Sequence, residues 1–289
     1  MVDANLIRAA RQADLAQFLL SVGVPLVRSG SRYRHKAHDS LVITGCMYYW
    51  NSKGESGNSL DYLVRHMGFD FKSAVSALAG FVPAACPPAA AAEPTGVAKN
   101  FGRVFAYLHK TRGIPYGILQ ALADKKLLAQ EAATNNAVFF MRDEKGGTVG
   151  AELVGTLSDK RYKGVRAGSK YGYGFNYVPN GDRADFILFF ESAVDLLSFI
   201  QIKALEGKDA KNCMLVSMCG LKANVVKHMT GAFGGVPVLC VDNDGAARRF
   251  VAAFRPGGPA VKLMRPDGRY KDWNEQLLAS RRSFFPAPP

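Results

Sequence analysis

The segment FILFFESAVDLLSFI (residues 186–200) places a short apolar run directly before a stretch with helical spacing of its apolar residues. The same order repeats in MLVSMCGLKANVV (214–226) and in VPVLCVDNDGA (236–246). Buried apolar runs that alternate with helices are typical of β-α-β units and of a parallel sheet. We therefore predict an α/β fold over residues 184–289, in which a parallel sheet carries helices on both faces.

The individual elements of this region follow from the pattern. Strands are predicted at 186–190, 214–218, 236–241 and 260–264, and helices at 193–205, 222–233 and 246–254.

Acidic residues stand directly after two of these strands. Glu191 follows the first strand, and Asp242 and Asp244 follow the third. Because functional groups lie at the carboxyl ends of parallel strands, we expect these three side chains to meet at one edge of the sheet. Their oxygens suit Mg²⁺, which makes them the candidate catalytic and metal-binding residues. Asp195 is instead expected to be structural, since its spacing from Ser192 predicts a helix-capping pair.

The region before the α/β domain is strongly basic. Residues 96–183 carry 14 basic and 7 acidic side chains, in a chain whose formal net charge is +13. Five of these cations are interleaved with tyrosines, a mixture that suits phosphates and stacking on unpaired bases, although a solvated basic loop is an open alternative. These candidate DNA-binding residues are Lys160, Arg161, Lys163, Arg166 and Lys170. Helices are expected at 100–108 and 115–123, and a hairpin of strands 137–141 and 149–156 around the turn 143–147.

A segment rich in proline and alanine, VPAACPPAAAAEPTG (82–96), interrupts the chain. Its four prolines prevent a regular helix, so it is interpreted as a linker. We predict four parts: a small α+β unit (1–81), the linker (82–98), a basic α+β subdomain (99–183) and the α/β domain (184–289). Within the first part the pattern indicates a helix at 6–22, strands at 31–34, 40–43 and 47–50, and helices at 59–66 and 71–79.

Two classes of protein are disfavoured by the sequence. Its apolar runs are far shorter than the roughly 20 residues that a membrane-spanning helix needs, and its N-terminus lacks the apolar core of a secretory signal. We therefore expect a cytoplasmic protein without a membrane partner. The five cysteines include no C-x-x-C pair, which argues against a cysteine-rich zinc site.

The strand ends carry a resemblance to a known family. FFESAVDLLS (189–198), VSMCGL (216–221) and VLCVDNDGA (238–246) resemble the TOPRIM domain, the metal-binding catalytic module of bacterial DnaG-type primases, topoisomerases and some nucleases. KDWNEQL (271–277) is similar to the lysine-aspartate motif of primase-type members. The resemblance implies Mg²⁺ or Mn²⁺ as the cofactor, held by Glu191, Asp242, Asp244 and, as a weaker addition, Asp272. Lys222 and Lys271 are candidate contacts for a nucleoside triphosphate, with plain surface lysines as the alternative.

The resemblance extends upstream. NAVFFMRDEKGGTVGA (136–151) and KRYKG (160–164), together with RGI (112–114) and GS (168–169), resemble the basic subdomain of primase cores and of primase-like proteins from plasmids and conjugative elements.

The first 80 residues resemble a primase zinc-ribbon domain that has lost its zinc. In YYWNSKGESGNSLDYL (48–63), Trp50 and Lys53 stand where the family has a cysteine pair, and His35 and His38 occupy the other ligand pair. Two histidines without partners make a poor zinc site, so no zinc is expected. The candidate DNA-binding residues of this unit are Arg32, Arg34, Trp50 and Lys53.

The resemblance implies a primase-like nucleotidyltransferase that synthesises short primers on single-stranded DNA from nucleoside triphosphates. A helicase, a relaxase or a replication initiator is the kind of protein partner that such an enzyme implies. Two alternatives stay open. A TOPRIM nuclease would use the same acids to activate water, and a non-catalytic single-stranded DNA-binding accessory protein of a mobile element is suggested by the missing zinc ligands.

Overall fold

The computed structural model describes residues 3–30, 32–53, 55–81, 97–98, 100–157, 162–166, 168–179, 184–252, 254 and 261–284. The chain separates into two units, Met1–Ala89 and Ala90–Pro289. Most of the predicted linker, residues 82–96, lies outside the described residues. Nowhere in the described ranges is there a helix of the length and apolar character needed to cross a membrane.

The first unit is an antiparallel meander of five strands covered by helices. Its core is formed by Leu41, Ile43 and Tyr48 of the central strands and by Leu15 and Leu63 of the helices. The helices are α1 (Ala4–Gln12), α2 (Leu15–Ser21), α3 (Ser59–His66) and α4 (Phe71–Leu78), and the strands are β1 (Leu26–Ser29), β2 (Arg32–His35), β3 (Leu41–Thr44), β4 (Met47–Trp50) and β5 (Glu55–Asn58).

The prediction of one helix over residues 6–22 is wrong. Ala13 adopts an extended conformation, and Asp14 caps a second helix by accepting a hydrogen bond from the amide of Gln17 at 3.0 Å. Strands β1 and β5 have no alternating apolar pattern, because the residues of both are exposed or only half-buried. Their pairing with neighbouring strands, and not their own sequence, forms them.

The second unit begins with helices and a four-stranded antiparallel sheet in the order β6-β7-β8-β9. The β7–β8 hairpin turns at the predicted place, where Asp143 Oδ1 accepts a hydrogen bond from the Gly147 amide at 2.8 Å. The elements are α5 (Gly102–Ala106), which continues into a π-helical turn (Tyr107–Thr111), α6 (Tyr116–Asp124), β6 (Leu128–Gln130), β7 (Ala137–Arg142), β8 (Thr148–Val154) and β9 (Lys163–Val165).

The remainder of the second unit is a five-stranded sheet in the order β10-β12-β11-β13-β14. Strands β11 to β14 are parallel, and β10 pairs antiparallel at one edge. The elements are β10 (Phe175–Tyr177), β11 (Phe186–Phe190), α7 (Ala193–Leu205), β12 (Cys213–Ser217), α8 (Ala223–Phe233), β13 (Val236–Cys240), α9 (Gly245–Ala252), β14 (Lys262–Met264) and α10 (Trp273–Phe284).

Helices cover both faces of this sheet. Leu188 and Phe190 of β11 belong to the core cluster that includes α7 and α10. The alternate residues, Ile187 and Phe189, belong to the cluster that includes α8 and α9. Since alternate residues of a strand face opposite sides, the predicted α/β class, a parallel sheet with helices on both faces, is confirmed.

Helix α10 was not predicted from the sequence. It packs on the face of the sheet that also carries α7, and its first residue lies near the carboxyl end of β13. The indole Nε1 of Trp273 donates to the carbonyl of Cys240 at 2.9 Å, and its ring packs edge-on against Phe199 at 5.1 Å. Asn274 Nδ2 donates to the carbonyl of Arg112 at 2.8 Å. The start of α10 is therefore attached both to the last residue of β13 and to the RGI segment far upstream.

Candidate active site

Glu191 and Asp242 lie together at the carboxyl ends of β11 and β13, which are neighbours in the sheet. The amide of Asp242 donates a hydrogen bond to Oε1 of Glu191 at 3.2 Å. Oδ1 of Asp242 is buried and has no hydrogen-bond partner within the protein. Because a buried oxygen without a donor is costly, this atom favours a proton or a cation close to it.

The carboxylates of this site raise one another's affinity for protons. Burial raises the pKa of Asp242 to about 8, and repulsion from Asp195, Glu191 and Asp272 adds to the effect, whereas Lys163 opposes it. Burial also raises the pKa of Glu191. The fold thus concentrates negative charge in a partly dehydrated place, which a bound cation would relieve.

Asp195 belongs to this acidic group as well as to a helix cap. Its amide donates to Ser192 Oγ at 3.2 Å, and the hydroxyl of Ser192 donates back to its carboxylate. Burial raises the pKa of Asp195 to about 6, and Asp272 adds to the rise. The sequence indicated the cap, but the proximity to Asp242 and Asp272 arises only from the three-dimensional fold.

Asp244 and Asp272 both use one carboxylate oxygen to begin a helix. Asp244 Oδ1 accepts from the amide of Ala247 at 2.8 Å at the start of α9. Asp272 Oδ1 accepts from the amide of Glu275 at 2.7 Å at the start of α10. Within the described parts of the chain, no three His, Cys, Asp or Glu side chains already converge in a metal-binding arrangement. The acids therefore share one region without forming a finished chelate.

The two candidate nucleotide-binding lysines lie at the same edge of the sheet. Lys271 is exposed, and its carbonyl accepts from the amide of Asn243 at 2.8 Å. Asn243 Nδ2 also donates to the carbonyl of Tyr270 at 2.8 Å, so the loop before α10 is fastened to the chain between Asp242 and Asp244. Lys222 is the half-buried residue directly before α8, and its side chain makes no capping hydrogen bond to that helix.

Lys163 lies at the acidic site. Its Nζ donates to the carbonyl of Glu191 at 2.6 Å. Its positive charge opposes the rise in the pKa of both Glu191 and Asp242. The sequence had grouped Lys163 with the DNA-binding cations, and only the position of β9 beside the end of β11 shows this second environment.

The other basic candidates of this region are in different surroundings. Arg166 pairs with Glu131 at 3.6 Å, and Nζ of Lys170 lies 5.0 Å from the ring centre of Tyr173. Lys160 and Arg161 lie outside the described residues.

The candidate DNA-binding residues of the first unit lie on its sheet and the adjoining turn. Arg34 donates to the carbonyl of Asp39 at 2.9 Å from β2. Arg32, half-buried on the same strand, interacts with Tyr49. Nζ of Lys53 lies 3.5 Å above the ring centre of the half-buried Trp50. Cation and aromatic surface are thus adjacent here.

His35 and His38 have ring centres 5.0 Å apart. Nδ1 of His35 accepts from the backbone amides of Ala37 and His38, at 3.1 and 3.2 Å. That nitrogen therefore serves the turn in which the two histidines lie.

Comparison with known proteins divides the second unit into two regions. Residues 106–180 match a family described as a protein of unknown function, DUF3991, and residues 188–277 match a Toprim-like family. The uncharacterized protein pXO2-78 of Bacillus anthracis is 30% identical, over 93% of this chain and 88% of its own length. The chain belongs to the family of pXO2-78.

Two findings confirm the expected relationship to TOPRIM proteins of plasmids. One is the Toprim-like match, and the other is the relative pXO2-78, which is named for the plasmid pXO2 of Bacillus anthracis. Lys163 falls in the DUF3991 region. The Toprim-like match runs from β11 to α10 and includes all five acidic residues of the site, Glu191, Asp195, Asp242, Asp244 and Asp272. The TOPRIM fold class is confirmed with it.

Solved structures with some likeness include two primases. The primase fragment of the bacteriophage T7 primase-helicase is 18% identical, with a TM-score of 0.44 over 60% of this chain and 70% of that chain. The Aquifex aeolicus primase, with zinc-binding and RNA polymerase domains, is 15% identical, with a TM-score of 0.39 over 97% of this chain and 85% of that one.

Proposed function

We propose that this protein is a primase-like nucleotidyltransferase that joins nucleotides on a single-stranded DNA template. The observation that carries the proposal is the acidic site of the TOPRIM sheet, where Glu191 touches Asp242 and an oxygen of Asp242 has no donor. Such a site costs stability but suits a cation, which could in turn bind a triphosphate, because burial and repulsion raise the pKa of Asp242 to about 8.

The residues fit a magnesium or manganese ion. Oxygen ligands are the ones that these ions prefer, and the unpartnered Oδ1 of Asp242 is a free ligand atom. Asp242 and Glu191 would hold the ion, and Asp244 and Asp272 would complete the site with their second oxygens or through water. The ion, when bound, lowers the pKa of an attacking hydroxyl and neutralises charge on the leaving pyrophosphate. No zinc is part of this proposal.

The lysines near the acidic side chains would bind the triphosphate. Lys163 already bonds the Glu191 carbonyl, and its ammonium can turn to a phosphate oxygen at little cost because the lysine is exposed. Lys271 and Lys222 flank the same strand ends and would contact the outer phosphates. The acids would thus hold the cation, while the lysines would hold the leaving pyrophosphate.

The template would follow the basic segment 160–170, with Lys160, Arg161, Arg166 and Lys170 as the candidate contacts to its phosphates. Arg32, Arg34, Trp50 and Lys53 of the first unit would form a separate contact with single-stranded DNA. We place this activity in the cytoplasm, on a mobile element, with a helicase, relaxase or replication initiator as the protein partner.

A synthesis assay tests the function directly. Purified protein with single-stranded DNA, Mn²⁺ and labelled ribonucleotides or deoxyribonucleotides is expected to yield short oligomers whose formation requires all three additions. Shortening of a labelled template in place of synthesis would assign the acids to a nuclease. Binding without either product would leave an accessory protein and would contradict the proposal.

The template contacts are tested by the salt dependence of binding. If Arg166 and Lys170 both touch phosphates, replacing both by alanine is expected to reduce the log–log salt slope for single-stranded DNA by about 1.4, since each contact contributes about 0.7. Fluorescence anisotropy at several salt concentrations measures this slope. The matched control replaces Lys208 and Lys211, two exposed and ion-paired lysines that precede the amino end of β12, and should leave the slope as it is. Equal slopes for the two double variants would remove Arg166 and Lys170 from the template path.

A further inference from the structure

Glu152 is a fully buried carboxylate that the proposed chemistry does not use. It lies on β8, in the sheet that precedes the TOPRIM domain, and is 0% exposed. Burial raises its pKa, because removing a carboxylate from water disfavours the ionised form. Such a residue persists in a core only where its oxygens are well satisfied, so its contacts indicate what it does.

Both oxygens of Glu152 bind the TOPRIM domain. Oε1 accepts from the amide of Ala193 at 3.2 Å, and Ala193 is the first residue of α7, where the helix itself supplies no acceptor. The other oxygen accepts a hydrogen bond from the hydroxyl of Ser217, the last residue of β12. The Ser217 oxygen in turn accepts from the amide of Cys219 at 3.3 Å.

These contacts fix the two segments around Glu191. One is the turn 191–193, which Glu152 binds through Ala193. The other is the loop 217–220, which Glu152 binds through Ser217 and whose Gly220 amide donates to the Glu191 carbonyl at 2.8 Å. Glu152 therefore connects the turn that contains Glu191 with the loop that binds the Glu191 carbonyl. Lys163 of the adjacent strand also donates to that carbonyl.

We propose that Glu152 is a positioning residue, which holds the 191–193 turn and the 217–220 loop together so that the Glu191 carboxylate faces Asp242. For its activity readout this inference rests on the proposed function. Groups that orient metal-binding side chains typically change metal affinity or activity by about 10- to 100-fold when they are removed. Glutamine in place of Glu152 can still accept from Ala193 and can donate to Ser217, whereas alanine can do neither.

The first test needs neither metal nor DNA. In Glu152→Ala, hydrogen exchange of the amides in 191–193 and 217–220 is expected to accelerate about 10-fold or more, whereas Glu152→Gln should resemble the native protein. Glu144→Ala removes a carboxylate from the β7–β8 turn, where it accepts from the Tyr173 hydroxyl, and serves as the matched control. Ser217→Ala, which breaks only one of the two contacts, carries the comparison if the alanine variant of Glu152 does not fold.

The second test is functional. The Mn²⁺ concentration for half-maximal synthesis is expected to rise about 10-fold or more in Glu152→Ala and to return towards the native value in Glu152→Gln. Template affinity should stay unchanged in both. Unaltered exchange and an unaltered Mn²⁺ requirement in Glu152→Ala would overturn the inference, as would a glutamine variant as defective as alanine. A native protein that makes no product would overturn the proposed function only, because the exchange experiment is independent of synthesis.

Discussion

Asparagine at position 242 is expected to reduce primer synthesis by about 10³-fold or more while the protein remains folded. The substitution keeps the shape of the side chain and removes the negative charge that would bind a metal ion, whose positive charge would offset the negative charge that develops in the transition state. Rates of synthesis under saturating Mn²⁺, together with template affinity, provide the measurement, and the affinity should change little. The matched control is Asp185→Asn, an exposed aspartate just before β11, at the opposite end of that strand.

The same variant is expected to be more stable than the native protein at high pH. The pKa of Asp242 is raised from 3.8 to about 8 in the folded state, so the ionised carboxylate opposes folding, and native stability declines as the pH rises through this range. We expect the free energy of unfolding of Asp242→Asn to exceed that of the native protein by about 2 kcal/mol at pH 8.5 and by almost nothing at pH 4. The value at pH 8.5 is smaller than the full pKa shift would give, because solvent screens the partly exposed group.

Thermal unfolding at the two pH values measures this difference. Mg²⁺ should stabilise the native protein and not the asparagine variant. Undiminished synthesis, or a gain in stability that is the same at both pH values, would remove Asp242 from the proposed site.

The second large effect is expected at Trp273. Alanine there should lower the free energy of unfolding of the second unit by about 3–5 kcal/mol, the usual range for a buried tryptophan. The residue is 3% exposed, and its loss would leave a cavity beside Phe199 and a carbonyl of Cys240 without its donor. Urea unfolding followed by circular dichroism measures the change.

Trp273→Phe separates packing from hydrogen bonding. It keeps an aromatic ring beside Phe199 and loses the bond to the Cys240 carbonyl, so a loss of about 1–2 kcal/mol is expected. Synthesis should fall in the alanine variant, because Lys271 and Asp272 precede the helix that Trp273 anchors. A native unfolding midpoint in Trp273→Ala would show that α10 does not depend on this contact.

The sequence predicts the parts of the protein whose pattern is local. The apolar runs that become β11, β12 and β13 are regular, and Glu191 and Asp242 stand at the ends of the strands that they follow. Those features depend on periodicity and on chain order, which are visible in one dimension.

Other features depend on contacts between distant residues. The sequence of α10 does not indicate where in the fold the helix lies. Its position depends on distant contacts such as the hydrogen bond from Trp273 to the carbonyl of Cys240. Glu152 stands in the apolar stretch VGAELV (149–154), where nothing local distinguishes a buried carboxylate from a surface one. Lys163 belongs to a basic run, and the bond to the Glu191 carbonyl is what separates it from its neighbours.

The bond between Arg112 and Asn274 joins residues 162 positions apart. During synthesis on the ribosome, the RGI segment emerges long before Asn274. The earlier helices of the second unit therefore lack their contacts with α10 until almost the whole chain has been made. Contacts of such long range slow folding, and incompletely assembled domains are prone to aggregate. A nascent chain that stops before α10 would therefore expose apolar residues of α7, among them Phe199, which Trp273 covers in the complete fold. Chaperones that bind exposed apolar surface would act on the protein at this stage.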